Sequence, residues 1–169
     1  FLPEENSLPE LRTLCIDECK GLSPSSFASL SHASNLHVLE VFSHDFENSC
    51  LKYLESMVHL RKLKLNCVIT SDCSELLKTL MHKSLFRLEE LNLSQCGDLG
   101  NEGIIAGALY SSHSCLRVLN LEFCFLVDDD LDGIGALKNT LEVLDLSSNY
   151  ELTNEALVHC GKLVKLKKL

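Results

Sequence analysis

Residues 116–121 read LRVLNL, and residues 141–146 read LEVLDL. Both hexamers carry leucine at the first, fourth and sixth positions, and the residue between the last two leucines is Asn120 in one copy and Asp145 in the other. Because successive side chains of a strand point to opposite faces, the last two leucines of each hexamer share one face. The pattern therefore predicts a short strand with a buried leucine face and a face toward solvent.

The same pattern, L-x-x-L-x-[LIV], recurs along the whole chain. Its six full copies begin at Leu11, Leu36, Leu60, Leu88, Leu116 and Leu141, and a seventh begins at Leu166. The spacings between starts are 25, 24, 28, 28, 25 and 25 residues. Such a period is typical of a repeat architecture in which each unit stacks on its neighbours. We expect one parallel sheet, with the intervening segments returning the chain as helices, because a parallel connection needs a long crossover.

Helix-start signals lie in these intervening segments. Ser23 precedes Pro24, which is typical of an N-cap followed by proline in the first turn. Residues 72–75, DCSE, are similar to a capping box, and Thr153 is a suitable N-cap for a helix near the end of the chain. The three aspartates at 128–130 place negative charge where a helix dipole favours it, and they predict the start of a further helix.

A second signal follows the strands. Residues 96–104 read CGDLGNEGI and residues 149–157 read NYELTNEAL. The third residue after the strand is cysteine or asparagine in four copies, at Cys19, Cys96, Cys124 and Asn149. This arrangement resembles the cysteine-containing subclass of leucine-rich repeats, with its C-x-x-[IL]-[TS]-[DN]-x-[GA]-[LI] core, as in F-box leucine-rich-repeat proteins. The repeat resemblance covers about residues 11–169, and His44 and Val68 replace the cysteine in copies two and three.

The resemblance implies an α/β fold, an open leucine-rich-repeat solenoid shaped as a right-handed horseshoe arc. Its parallel sheet would line the concave face and its helices the convex face. We expect residues 1–169 to form one such domain, with residues 1–10 as a flank. Because terminal repeats need a polar cap and the seventh copy stops inside its own strand, we also expect the domain to belong to a longer protein.

The resemblance also implies a function. Such an arc would be a non-enzymatic protein-interaction module, and the favoured setting is the substrate-recognition arc of a ubiquitin ligase receptor in the cytoplasm or nucleus. Two alternatives remain open. One is the sensor domain of an intracellular immune receptor of the plant type, and the other is a GTPase-activating repeat arc.

The cysteines favour a structural interpretation. Nine are present, none forms a C-x-x-C pair, and the first residues contain no signal-peptide pattern. The cysteines are therefore interpreted as small hydrophobic side chains in a reducing compartment. Because the cysteine-containing subclass is intracellular, the resemblance implies reduced thiols and no intrachain disulfide. At the turn position of Cys19, Cys96 and Cys124, we expect a small buried side chain whose weak polar capacity meets backbone groups, and Asn149 can do the same with stronger hydrogen bonds.

Motifs for chemistry are missing from the sequence. It contains no P-loop, G-x-S-x-G, H-E-x-x-H or EF-hand pattern, so it predicts no catalytic residue, cofactor site or metal ligand. The aspartates at 128–130 with Asp132 are interpreted as a solvated helix cap rather than a cation site. A net charge of −9 argues against general nucleic-acid binding. No apolar run approaches the ~20 residues of a membrane helix, and no small-molecule substrate is indicated.

Strand residues that alternate with the leucines define a candidate binding surface. Exposed apolar side chains framed by charges are typical of interface anchors, although valine also simply suits strands. The candidates on the concave face are Val38, Glu40, Phe42, Lys62, Lys64, Glu90, Asn92, Val118, Asn120, Glu122, Phe123, Val143 and Asp145. The two positions after each strand, Ser43 and Ser94 among them, are expected to face solvent as well.

Charge is unevenly distributed along the chain. Residues 89–155 contain 13 acidic and 2 basic residues, a net charge of −11. Such an acidic segment suits a partner protein with a basic patch, and it equally serves solubility. The sequence alone leaves both interpretations open.

Overall fold

Six short strands form one parallel sheet in the computed structural model, which describes residues 8–19, 21, 23–43, 48–66, 74–97, 99 and 115–169. The strands are β1 (Thr13–Asp17), β2 (Val38–Phe42), β3 (Lys62–Asn66), β4 (Glu90–Asn92), β5 (Val118–Asn120) and β6 (Val143–Asp145). They neighbour one another in chain order, β1 to β6. The predicted α/β class, strand positions and parallel pairing are confirmed.

The register aligns equivalent repeat positions across the sheet. Leu63 of β3 lies opposite Leu39 of β2 and Leu91 of β4, and the next pairs continue the same alignment. All three of these leucines are at most 1% exposed. Beyond β6, Lys168 forms a parallel bridge with Val143, which is the 25-residue offset of a copy that begins at Leu166.

The helical segments cover the leucine face of the sheet. The α-helices are α1 (Pro24–Ala28), α2 (Ser74–Lys83) and α3 (Asn154–Cys160), and four 3₁₀ segments span Ser29–His32, Asn48–Ser56, Asp128–Leu131 and Ile134–Leu137. Their buried side chains, such as Phe27 and Leu80, join the strand leucines in one hydrophobic cluster. The core therefore lies between the helical layer and one face of the sheet, and the other face stays open.

Two of the predicted helix starts are confirmed by their caps. The backbone N–H of Ser26 donates to Ser23 Oγ at 3.4 Å, with Pro24 in the first turn of α1. The N–H of Glu155 donates to Thr153 Oγ1 at 3.2 Å at the start of α3. Helix α2 also lies where the sequence predicts it, but residues 72–73 of its expected cap lie outside the described residues.

The helix predicted at the three aspartates is two short 3₁₀ segments instead. Gly133, with φ of 87°, separates Asp128–Leu131 from Ile134–Leu137. A left-handed residue interrupts a right-handed helix, and glycine adopts that conformation without steric cost. The carboxylate of Asp128 turns to the neighbouring copy, where it accepts hydrogen bonds from the N–H groups of Thr153 and Ala156 at 2.9 and 3.1 Å. It therefore caps α3 rather than its own segment.

The cysteine and asparagine side chains after the strands join neighbouring copies. Cys96 Sγ donates to the carbonyl of Leu65, and Cys124 Sγ donates to that of Leu93, each at 3.1 Å. Asn149 Nδ2 donates in the same way to the carbonyl of Leu121 at 2.9 Å. The structural role predicted for these three positions is confirmed.

The remaining turn positions differ. Cys19 is exposed, so the burial expected for it is wrong. Its copy is the first in the sheet that the structure describes, so no described strand end precedes it to offer a carbonyl to the thiol. His44 and Val68, which replace the cysteine in copies two and three, lie outside the described residues.

Candidate functional site

The open face of the sheet carries the strand residues that the sequence proposes as a binding surface. Register places them in two rows that cross the strands. The first row contains Val38, Lys62, Glu90, Val118 and Val143, and the second contains Glu40, Lys64, Asn92, Asn120 and Asp145. Each is at least partly exposed, because the leucines between them take the buried face. We call these ten residues the open face.

Ion pairs join the basic and acidic residues in the middle of the open face. Lys62 Nζ lies 3.0 Å from Glu40 Oε1 and 3.6 Å from Glu90 Oε2. The hydrogen bond to Glu40 holds the pKa of Lys62 above its usual value. Because all three side chains reach solvent, the pairs contribute little to stability. Their charges remain accessible to a partner.

Phe42, a proposed anchor, has one side of its ring occupied. Lys64 Nζ lies 4.4 Å from the ring centroid, a cation–π geometry. The ring of Phe42 is half-buried at the end of β2. A partner that uses this ring must therefore displace Lys64 or approach from the opposite side.

The amide and carboxylate side chains of the second row cap their own strands. The N–H of Ser94 donates to Asn92 Oδ1 at 2.9 Å, and the N–H of Glu122 donates to Asn120 Oδ1 at 2.8 Å. In the same way, the N–H of Ser147 donates to Asp145 Oδ1 at 3.0 Å. Asparagine and aspartate favour this local turn. These three candidates therefore have a structural role, and one oxygen of each is already engaged.

The prediction that all residues after the strands face solvent is partly wrong. Ser43 and Ser94 are each 6% exposed. Side chains alternate between the two faces only within a strand, so the alternation does not predict which side chains are exposed in the turn. The three candidates from this region are at least partly exposed, as expected: Phe42, Glu122 and Phe123.

No protein-family model and no curated protein matches this chain.

An aromatic cluster lies beside the open face, where the parallel strands end. The ring centroids of Phe123 and Phe125 are 5.1 Å apart, and those of Phe123 and Tyr150 are 6.4 Å apart in an edge-to-face arrangement. Sequence reasoning selected Phe123 but missed Phe125 and Tyr150. Both lie in turns, where the two-residue period that identified the other candidates no longer applies. We call these three residues the aromatic cluster.

At the opposite ends of the strands, acidic residues pair with bases of neighbouring copies. Glu142 Oε1 lies 3.0 Å from Arg117, and Glu142 Oε2 lies 2.8 Å from Lys167 Nζ. Lys167, followed by Arg117, holds the pKa of Glu142 below its usual value. Arg61 and Glu89 form a similar pair. The acidic excess of residues 89–155 is thus locally compensated at this end of the sheet.

The three consecutive aspartates have different environments. The hydrogen bonds from Thr153 hold the pKa of Asp128 below its usual value. Asp130 is 4% exposed and accepts from the N–H of Val127 at 2.8 Å, and burial raises its pKa. Asp129 is exposed. Over the residues that the structure describes, no group of three or more acidic, histidine or cysteine side chains is arranged to hold a metal ion.

Within the same described residues, no helix has the length and apolar character needed to cross a membrane.

Proposed function

We propose that this chain is an open leucine-rich-repeat solenoid and that its open face, as the concave surface, binds another protein. The observation that carries the proposal is the alignment of ten partly exposed side chains in two rows, held by leucines beneath them. Residues from five copies contribute to one continuous surface. A partner can therefore contact several copies at once, which suits an extended interface.

Composition of the open face supports a protein partner. Three valines supply apolar area, while Lys62, Lys64, Glu40, Glu90 and Asp145 supply charges of both signs. Apolar area framed by charge is what a protein interface combines, with the charges contributing specificity and association rate. We favour the substrate-recognition arc of a ubiquitin ligase receptor as the setting, on the resemblance of the turn cysteines to the cysteine-containing subclass.

The experiment is affinity capture from a native lysate with wild type and matched charge-reversed variants. Glu90→Arg reverses a charge in the middle of the open face, and Val118→Arg adds a charge beside it. Glu55→Arg makes the same charge reversal at an exposed position in the helical layer. Each variant is first checked for folding by far-UV circular dichroism.

We expect wild type and Glu55→Arg to capture the same protein, and both open-face variants to lose it. Equal capture by all four chains would show that binding uses another surface. Capture of nothing by the wild type would contradict the function itself. A ligase-docking segment or a nucleotide-binding domain in the full-length gene product would separate the ubiquitin-ligase setting from the immune-receptor setting.

A further inference from the structure

The aromatic cluster exposes more apolar ring surface than the fold requires. Tyr150 is 81% exposed, Phe125 50% and Phe123 38%. Single exposed apolar residues are ordinary, but here the rings of Phe125 and Tyr150 both contact that of Phe123, and the three form a patch. The rings come from two neighbouring copies, so the stacking of the repeats assembles the patch.

The backbone at Phe125 adds an independent observation. Its φ is 54°, in the left-handed region, and the equivalent residue of the preceding copy is Gly97, with φ of 63°. The φ of Phe123, 53°, is not unusual, because the equivalent residues of the two neighbouring copies, Gln95 and Ser148, are also left-handed. At the Phe125 position, by contrast, the preceding copy uses glycine, which adopts this conformation freely. The phenylalanine ring is thus held against a backbone preference, which is characteristic of functional positions.

The sequence segments that carry the aromatic cluster have charge of one sign. Glu122 and Glu151 directly adjoin Phe123 and Tyr150 in sequence, and no lysine or arginine occurs in residues 118–137 or 139–161. The compensating bases described above lie at the opposite ends of the strands. A partner group that binds here therefore contacts aromatic rings next to negative charge that no lysine or arginine of the same segments balances.

Elsewhere the chain places its own cations over its rings. Lys64 Nζ lies over Phe42, and Arg87 Cζ lies 5.5 Å from the ring centroid of Phe86. Over the part of the chain that the structure describes, no lysine or arginine is placed in this way over the aromatic cluster. Within the described residues, the aromatic cluster is therefore open to a cation from another molecule.

We propose that the aromatic cluster binds an arginine side chain presented by a segment of another protein. Arginine fits better than lysine, because its planar guanidinium stacks on aromatic faces while its N–H groups pair with carboxylates such as Glu122 or Glu151. The inference rests on the proposed function, since it names the chemistry of a partner that reaches the edge of the open face.

The test uses the whole chain, labelled with ¹⁵N, and three acetylated and amidated pentapeptides. One alternates glycine with arginine, one glycine with lysine and one glycine with glutamate. Peptide affinity is measured from amide chemical shifts at low salt. We expect the arginine peptide to bind at the cluster, the lysine peptide to bind more weakly and the glutamate peptide not to bind. Added salt should weaken the arginine peptide.

Two substitutions in the aromatic cluster separate binding from folding. Phe125→Gly removes a ring and installs the residue that suits the backbone, while Tyr150→Ala removes the most exposed ring. Removal of both rings in the double variant should lower the affinity for the arginine peptide by roughly tenfold, because each cation–π contact has a few-fold effect. Phe86→Ala is the matched control, because Phe86 is 40% exposed and lies outside the cluster. It should leave affinity unchanged.

Several results would overturn the inference. They are equal affinity of the arginine peptide for the double variant and the wild type, equal binding of the glutamate peptide, or unfolding of Phe125→Gly at a lower temperature than wild type. Self-association that Tyr150→Ala abolishes would show that a second copy covers the cluster instead. Because capture through Glu90 and Val118 is measured separately, the inference can fail while the proposed function stands, and the reverse is also distinguishable.

Discussion

The side-chain amide of Asn149 ties two neighbouring turns together, and its removal tests the account of the turn position. Asn149 is 8% exposed. Its Oδ1 accepts from the N–H groups of Cys124 and Leu126 at 2.9 and 3.1 Å. Its Nδ2 donates to the carbonyls of Leu121 and Leu146 at 2.9 and 2.8 Å. We predict that Asn149→Ala lowers the free energy of unfolding by about 4 kcal/mol.

That magnitude follows from the groups left behind. The N–H groups of Cys124 and Leu126 lose their buried acceptor, at about 1.5 kcal/mol each, and the carbonyl of Leu121 loses its donor, at about 1 kcal/mol. The free energy of unfolding of a native protein is about 5–15 kcal/mol, so this loss is a large fraction of the total. An alanine is too short to replace either half of the amide.

Two comparison variants isolate the contribution of the two accepted bonds. Asn149→Cys restores a donor toward Leu121, as Cys124 provides one toward Leu93, but it supplies no strong acceptor, so we expect a loss of about 3 kcal/mol. Cys96→Ala removes an S–H···O bond to Leu65 and a small volume, at about 1 kcal/mol. The expected order of destabilisation is therefore Asn149→Ala, then Asn149→Cys, then Cys96→Ala.

Urea denaturation followed by far-UV circular dichroism measures the three variants, since the chain has no tryptophan. Hydrogen exchange adds a local readout, because the amide protons of Cys124 and Leu126 should lose protection in Asn149→Ala. The reasoning is refuted if Asn149→Ala costs no more than Cys96→Ala. Unchanged exchange at both amides would contradict it independently.

Three further predictions concern the thiols, acid stability and the core. Burial raises the pKa of Cys124 to about 12, so iodoacetamide should label exposed Cys115 rapidly and Cys124 only after unfolding; equal native rates would be contrary evidence. The folded-state pKa of Asp128 is lowered, so its stabilisation is present above its unfolded pKa and is lost as pH falls through the folded value. Asp128→Asn should therefore lower the thermal midpoint at neutral pH and differ less from wild type in acid. Leu91 is 1% exposed, so Leu91→Ala should lower the free energy of unfolding, measured in urea, by about 2–5 kcal/mol. A smaller loss would mean that the surrounding side chains collapse into the cavity.

The leucine pattern was sufficient to predict the sheet because it has a simple physical basis. Position 91 must be buried and position 92 must not, and a period of two achieves this only in a strand. Recurrence of the pattern, at spacings of 24 to 28 residues, then aligns position 91 with Leu63 and Leu119, as the register shows. The helical segment predicted at the three aspartates does begin there, but it consists of two short 3₁₀ segments, because Gly133 interrupts it and Asp128 turns to the next copy.

The binding surface was less predictable than the sheet that carries it. Alternation identifies which strand residues face outward, but it does not show that Asn92 and Asn120 cap their own strands or that Lys64 covers Phe42. The two caps depend on local turn geometry, and the contact of Lys64 with Phe42 depends on side-chain reach between neighbouring copies. Phe125 was missed because its exposure depends on a turn conformation that the hexamer does not encode.

These contacts distribute accessible binding capacity unevenly over the surface. In the middle of the open face, Lys62 is paired with Glu40 and Glu90, so a partner must exchange existing ion pairs for new ones. At the strand ends, Phe125 and Tyr150 are half to four-fifths exposed and need no such exchange. Burial of exposed ring surface contributes favourably to the free energy of binding, whereas exchange of one exposed ion pair for another contributes little. A partner that contacts both regions should therefore gain affinity at the aromatic cluster and specificity from the charged rows.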